Sequence, residues 1–240
     1  MSIDRETGFA DVGERRPVKF EEGWIVGMVR QLVQLRNYVG LGRKREDPVR
    51  DVAGLAHFLD TRASFVAQTS LYGYLRTRAG MRYPELFDDD PFVVSINIAK
   101  WQIWLACLSD ITAYAGVQLA RQRGASADQV RDIVRAALAE VLERTGVPEE
   151  AGEAFADNAA RVRERIAGCD WSAFVDEEAA FTESPGALVE WAPIVDHLKQ
   201  LDADIVRNSV RFRWQEVRRD LRRSLDADAV LRAGSSSADT

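Results

Sequence analysis

The chain has few of the residues that most often build metal and nucleophilic sites. Its 240 residues include two cysteines, Cys107 and Cys169, and two histidines, His57 and His197. Two cysteines are too few for a disulfide framework or a four-ligand zinc site. Neither histidine has a glutamate three positions before it, so the Glu-x-x-His pair of di-iron bundles is absent. We therefore expect no metal and no cofactor.

Sequence motifs of the common enzyme classes are also missing. The chain has no Gly-x-Ser-x-Gly elbow, no phosphate-binding P-loop and no dinucleotide-binding glycine motif. Three consecutive aspartates, Asp88 to Asp90, lack the spaced ligands of a calcium loop. These absences favour a protein without catalytic activity.

Lysine is rare: only four of the 32 basic residues are lysine, and the rest are arginine. Together with abundant alanine, the excess of arginine is typical of a GC-rich bacterial genome. The net charge of −6 repels phosphate backbones overall. We therefore expect no nucleic-acid partner.

The two ends of the chain differ from the rest in composition. Residues 1–19 are polar and lack the apolar stretch of a secretory signal, so we expect a flexible arm and a cytoplasmic protein. Residues 231–240 include a Gly-Ser-Ser-Ser run, which predicts a disordered tail. The length in between predicts one helical domain over residues 20–230.

Apolar residues between these ends return at every third or fourth position, and no stretch alternates as a strand would. This period predicts an all-α fold, an antiparallel bundle of about six helices joined by short loops. Caps, prolines and glycines mark the helix ends. The predicted helices are 21–39, 48–80, 91–123, 126–145, 148–167 and 184–228. Asp47-Pro48 starts the second of them, and Ser126 with Gln129 forms a capping box.

The helix at about 91–123 is apolar on all sides, which is typical of a helix in a core or in a membrane. Lys100 and Asp110 interrupt it, and a charge at a bilayer centre costs at least about 2.5 kcal/mol. We therefore predict the central helix of the bundle and no transmembrane segment. Lys100 lies between apolar turns, so it needs a carboxylate partner or a route to water. A reactive site lysine is the alternative.

A stripe of polar side chains follows the helix at 48–80. Its members recur at steps of three and four and share one face: His57, Asp60, Thr61, Ser64, Gln68 and Tyr72. A solvent face, a satisfied polar network and a wet cleft remain open for this stripe. His57 and Ser64 are separated by a rise of about 10 Å, so they cannot form a base and nucleophile pair on a straight helix. His57, Asp60 and Lys100 are the catalytic candidates.

Basic residues close the same helix and continue into the next loop. They are expected to favour the helix dipole, and an anion site beside Tyr83 is the alternative. The resulting candidates for ligand binding are Gln68, Tyr72, Arg78, Arg82 and Tyr83.

The last predicted helix, 184–228, carries a seam of apolar residues. Trp191, Leu198, Ile205 and Phe212 are seven apart, with Ile194 and Leu201 between them. The phase then slips, as in a coiled coil with a stutter, and the seam continues through Val210, Trp214, Val217, Leu221 and Leu225. About 40 helical residues would span roughly 60 Å. The helix is therefore expected either to break near Asn208 or to project towards a partner. Seven arginines between 207 and 223 border the seam, and the candidates for partner binding are Arg211, Trp214, Arg218 and Arg222.

Two stretches, residues 57–62 (His-Phe-Leu-Asp-Thr-Arg) and residues 95–101 (Ser-Ile-Asn-Ile-Ala-Lys-Trp), carry a resemblance to a known group. They resemble uncharacterised bacterial all-helical proteins, some of which are labelled esterases. The resemblance implies that, if the chain is an enzyme, it is a hydrolase that acts on esters.

We expect a non-catalytic helical interaction, scaffold or regulatory protein that acts through its last helix. Its partner is expected to be another protein or its own copy, as in a homo-oligomer. The alternative is a small-ligand-binding protein or an esterase-like hydrolase with a cleft along the polar stripe. Peripheral contact with anionic membranes through residues 207–223 is a third possibility.

Overall fold

The computed structural model describes residues 48–122, 124–174 and 177–237, which belong to one compact unit. These residues form seven α-helices and no strand, which confirms the all-α prediction. The predicted arm 1–19 and the predicted helix 21–39 lie outside the described residues. The helices are α1 (Val52–Ala79), α2 (Asp90–Ala120), α3 (Ala127–Thr145), α4 (Phe155–Ala167), α5 (Ser184–Trp191), α6 (Asp196–Ser224) and α7 (Ala227–Ser237).

Helix α2 lies at the centre and contacts each of the other six helices. Eighteen of its 31 residues are buried. Trp101 and Trp104 pack edge to face, and Trp104 stacks on Phe155 of α4 with 6.5 Å between ring centroids. Gly116 lets the ring of Trp171 lie directly against the backbone of α2. From Ile96 onwards, most of the apolar circumference of α2 is thus covered by its neighbours, while Val94 in its first turns is exposed.

Helix α1 begins later than the Asp47-Pro48 signal predicts. Asp51 is its N-cap, and the Asp51 carboxylate accepts a hydrogen bond from the amide of Gly54 at 2.7 Å. Val49 is held out of the helix because its amide donates to Ser224 and its carbonyl accepts from Asp226. These bonds form an isolated parallel bridge between Val49 and Leu225. The long-range bridge therefore overrides the local start signal.

The Ser126 cap predicted at the start of α3 is present. The Ser126 hydroxyl accepts from the amide of Gln129 at 3.1 Å. The side-chain amide of Gln129 donates to the carbonyl oxygen of Leu231 at 3.0 Å. Gln129 therefore ties the start of α3 to α7.

The predicted helix 148–167 is wrong in its first turn. A short 3-10 turn covers Glu149–Ala151, and α4 begins at Phe155. Gly152 separates them at a φ of 76°, a left-handed conformation that favours glycine. A Cβ at this glycine would also lie 3.2 Å from the Ile98 side chain. The chain turns at Gly152 to pass close to α2.

The predicted last helix, 184–228, is divided into three. Helix α5 ends at Trp191, and Ala192 is extended because Pro193 disfavours a helical residue before it. Of the two alternatives for this helix, the break near Asn208 does not occur, since α6 runs unbroken through that position. A second break at Leu225 makes the bridge to Val49. Helix α7 then continues to Ser237, into the segment expected to be a tail.

Candidate functional site

Helix α6 has two apolar faces that point in different directions. Its inner face is buried against α5 and α1, and it consists of Val206, Val210, Trp214, Val217 and Leu221. Trp191 of the predicted heptad lies on α5, while its later members on α6 form a stripe separate from the residues that follow the slip.

The second stripe points to solvent. Leu201, Ile205 and Phe212 are 78%, 72% and 72% exposed. At about 100° per residue, the three side chains lie within roughly 40° of one another. The three apolar side chains and the exposed polar residues beside them form one surface, which we call the outer face of α6: Leu201, Asp204, Ile205, Asn208, Arg211 and Phe212. Single exposed apolar residues are ordinary, whereas three large ones on one face of a helix make that face a candidate interaction surface.

Ion pairs on the other side hold α6 in place. Arg62 of α1, which is 2% exposed, pairs with Asp220 at 3.2 Å. Asp202 accepts a hydrogen bond from the Tyr74 hydroxyl at 2.9 Å and pairs with Arg78. The outer face therefore belongs to a helix that is held to α1 by ion pairs near both of its ends.

The structure separates the four candidates for partner binding. Arg211 is exposed on the outer face, and its guanidinium contacts the Asn208 amide oxygen at 3.0 Å. Trp214 is 1% exposed and donates to the Ser184 hydroxyl, so it lies in the core instead of at a partner surface.

The other two candidates, Arg218 and Arg222, have partners inside the chain. Arg218 pairs with Glu178 at 3.1 Å, and Arg222 donates to the Tyr114 hydroxyl at 2.9 Å. The outer face thus keeps one of the four predicted residues and gains Leu201, which belongs to the predicted seam.

The polar stripe on α1 does not assemble catalytic machinery. His57 is exposed, and its imidazole has no hydrogen-bond partner within the described part of the chain. Asp60 instead pairs with Arg144 of α3 at 3.0 Å and accepts a long 3.5 Å contact from the Ser64 hydroxyl. Thr61 donates to the carbonyl oxygen of His57. His57, Asp60 and Ser64 therefore hold no base and nucleophile pair.

Lys100 has the carboxylate partner that its apolar surroundings require. Its ammonium lies 2.8 Å from the Glu150 carboxylate and 5.0 Å from the centre of the Trp101 ring. The Trp101 indole also donates to Glu150, at 3.3 Å. The hydrogen bond from Lys100 is the main cause that lowers the pKa of Glu150. Lys100 is thus engaged in a structural pair.

The structure divides the candidates for ligand binding. Tyr72 lies near Tyr83 and Glu150, and burial raises its pKa to about 12, with smaller contributions from those two groups. Burial also raises the pKa of Tyr83. Arg78 binds Asp202 and Arg82 pairs with Glu85, so neither arginine forms an anion site with the tyrosines. Gln68 is half-buried.

A buried polar network around Asp110 was missed by the sequence analysis. The Asp110 carboxylate is fully buried and accepts from the Ser184 amide at 2.8 Å and the Ser184 hydroxyl at 2.7 Å. It also accepts from the Glu183 amide at 3.1 Å and from Arg165 at 2.9 Å. Burial raises the pKa of Asp110, and Arg165 and the hydrogen bonds oppose that rise. An acid inside an apolar run was the signal that could have found it.

This network has a structural role, because it links helices through hydrogen bonds. Asp110 on α2 binds the amides that open α5, and Trp214 of α6 donates to the same Ser184 hydroxyl at 2.9 Å. The neighbouring Cys107 is fully buried, and burial raises its pKa well above the ordinary value. A protonated, buried thiol is unreactive. With Arg165 of α4, the cluster therefore holds four helices together.

Two open depressions lie on the described surface, and neither includes a residue of the polar stripe. One is lined by the ends of α2 and α4 and by Trp171, and the other lies between α3 and α4. Across residues 48–122, 124–174 and 177–237, no three His, Cys, Asp or Glu side chains are grouped to hold a metal. Helix α2 has the length and hydropathy of a membrane span, and half of its most apolar window is buried inside the protein.

No family model, no curated protein and no solved structure matches this chain. The fold defines the class, an all-α helical protein. Within that class, the outer face of α6 is the feature that most needs a functional explanation.

Proposed function

We propose that this chain is a helical interaction protein that binds a protein partner through the outer face of α6. The observation that carries the proposal is the exposure of Leu201, Ile205 and Phe212 on one side of a helix whose other side is fully packed. Covering such side chains gains about 25 cal/mol for each Å² removed from water.

The composition of the outer face supports a protein partner. Interface centres are enriched in aromatic residues and arginine and depleted in aspartate and lysine. Phe212 and Arg211 are adjacent here, while the one acid, Asp204, lies at the edge. Because α6 is anchored by Arg62 and Tyr74 on its other side, the surface is ordered before binding, which reduces the entropic cost of association.

The alternatives have weaker support. A hydrolase or ligand-binding cleft along the polar stripe would need groups that are free to act, and Asp60 is held by Arg144. Peripheral membrane contact would use the arginines of α6, and Arg218 and Arg222 are bound within the chain. Protein binding accounts for the exposed apolar side chains, which supports the proposal.

Photo-crosslinking tests the proposal. A benzophenone amino acid is placed at position 212 on the outer face, or at position 147, where Val147 is 70% exposed elsewhere on the surface. After irradiation in cells that make the full chain, mass spectrometry identifies the crosslinked proteins. We expect discrete protein adducts from position 212 and not from position 147. Equal adduct patterns from both positions would contradict the proposal.

A further inference from the structure

We infer that the partner on the outer face of α6 is a second copy of this chain, with the two α6 helices antiparallel. This inference rests on the proposed function, since it names the occupant of the same surface. Three observations support it. They are the distribution of charge along α6, the spacing of its exposed side chains, and the lack of a carboxylate partner for Arg211 among the described residues.

Charge is divided unequally along α6. Residues 196–204 contain three aspartates against one lysine, and residues 207–223 contain seven arginines against two acids. Acids in a first turn and bases in a last turn complement the helix dipole, but that effect fades within those turns. Asp204, Arg207 and Arg211 lie in the middle of α6. The dipole therefore leaves the asymmetry in the middle of the helix unexplained.

An antiparallel pair makes use of this asymmetry. It places the exposed acids near the start of each helix, Asp196 and Asp204, towards the half of the other helix that carries the exposed arginines Arg211, Arg219 and Arg223. A parallel pair would place like charges together. Opposite charges across an interface speed encounter and suppress wrong alignments. The charge pattern of α6 is therefore self-complementary in one orientation.

The spacing on the outer face fits the same geometry. A two-fold axis near residues 206–207 brings Leu201 of each copy opposite Phe212 of the other. Asp204 and Arg211 are seven residues apart, which at 3.6 residues per turn places them on the same edge of the helix. A two-fold axis of this kind keeps that edge on the same side in both copies, so Asp204 comes to lie beside Arg211 of the second copy.

Arg211 is available for this contact. Its guanidinium touches only the neutral Asn208 amide, and it has no carboxylate partner among residues 48–122, 124–174 and 177–237. Asp204, whose side chain is 98% exposed, makes a 3.5 Å contact to Arg207 on its own helix and no other ion pair within the described residues. Two copies would form two symmetric Asp204–Arg211 pairs at the edge of an apolar centre.

The apolar centre is small, so the dimer is expected to be weak. Three side chains cover only part of the roughly 800 Å² per partner that a standard interface buries. We expect a dissociation constant of about 1–100 μM, the range of a modest interface. Exposed charge pairs at its edge also make the association weaker at high salt.

Sedimentation equilibrium on the full chain from about 1 to 300 μM measures the association. We expect the wild type to form dimers, Ile205→Glu to weaken association at least tenfold, and Val147→Glu to behave as the wild type. Both residues are exposed, so neither change removes a core contact. A monomeric wild type throughout this range, or an Ile205→Glu variant that associates normally, would overturn the inference.

A charge exchange tests the orientation. Asp204→Arg and Arg211→Glu each place like charges side by side in the antiparallel dimer, and we expect each to weaken association about threefold to tenfold. The double variant restores opposite charges in the antiparallel arrangement, so its association is expected to return towards that of the wild type. In a parallel pair the same exchange would restore nothing, so failure of the double variant to recover would overturn the antiparallel arrangement.

Failure of this inference is distinguishable from failure of the proposed function. If the chain is monomeric but position 212 crosslinks to a different protein, the second-copy inference is wrong and the proposed function stands. If position 212 gives no specific adduct of any kind, the proposed function and the inference both fail.

Discussion

Asp110 and Ser184 join the middle of α2 to the first turn of α5 through two hydrogen bonds of 2.8 and 2.7 Å. The two residues are 74 positions apart in the chain. A carboxylate of one helix thus supplies the cap for another, and Arg165 balances its charge.

Removing this carboxylate is expected to destabilise the fold strongly. Asp110→Ala leaves the amides of Glu183 and Ser184 without their acceptor, and Arg165 without its counter-charge. We expect the free energy of unfolding to fall by about 3–5 kcal/mol, the usual cost of removing one partner of a buried pair. Urea unfolding followed by circular dichroism measures the change. Asp132→Ala, at an exposed position of α3, is the control and should leave the midpoint unchanged.

Gly116 provides a second test of how α2 is packed. A Cβ at this position would lie 2.3 Å from the Trp171 ring, so the ring would have to move. We expect Gly116→Ala to lower the free energy of unfolding by about 1–3 kcal/mol and to change the near-ultraviolet dichroism of tryptophan.

The chain offers a matched glycine for comparison. Gly186 lies in α5, and a Cβ there would meet no atom within 4 Å. Because alanine restricts the unfolded chain, Gly186→Ala is expected to stabilise the protein by about 0.5–1 kcal/mol. If the two variants had the same effect, the contact between Gly116 and Trp171 would not be the cause.

The Lys100–Glu150 pair predicts a pH-dependent contribution to stability. The pKa of Glu150 is lowered from 4.5 in the folded protein, chiefly by the hydrogen bond from Lys100. The carboxylate therefore contributes stability above pH 4.5, and this is lost as the pH falls through the lowered pKa. The Glu150 side chain is 50% exposed, so solvent screening keeps the contribution below about 1 kcal/mol.

The comparison of Glu150→Gln with the wild type measures this contribution. We expect the wild type to be the more stable protein at pH 7 and the difference to disappear in acid. Glu149→Gln, at the neighbouring exposed position, is the control and should show no such convergence. A stability difference that persisted below the lowered pKa would contradict the role assigned to the pair.

Ester hydrolysis that depends on His57 is not expected. The imidazole is exposed and has no acid or nucleophile bound to it in the described residues, and Asp60 is occupied by Arg144. Turnover of a panel of short-chain acyl esters should be equal for the wild type and His57→Ala. A loss of turnover of tenfold or more in the variant would support the cleft along the polar stripe.

The sequence predicts the helices well because local information determines them. The Ser126 cap and the glycines that end α1 and α3 act over four residues, and the structure keeps them. Long-range contacts decide the rest. Val49 is drawn out of α1 by a bridge to Leu225, 176 residues away, and no local pattern announces that pairing.

The candidate site was predicted only in part, for a related reason. The apolar period of α6 identifies an amphipathic helix, but it does not show which apolar stripe is covered by the rest of the fold. Ile205 and Trp214 both belong to the predicted seam, yet the first is 72% exposed and the second 1%. The Asp110 network was missed because its partners, Ser184 and Arg165, lie far along the chain.

The bridge between Val49 and Leu225 has a consequence for how the molecule is assembled. Val49 cannot form this bridge until Asp226 has been synthesised, because its two hydrogen bonds are made with Ser224 and Asp226. Contacts between such distant residues carry a high entropic cost of loop closure and slow folding. A chain growing on the ribosome therefore leaves Val49 without this bridge until Asp226 has emerged.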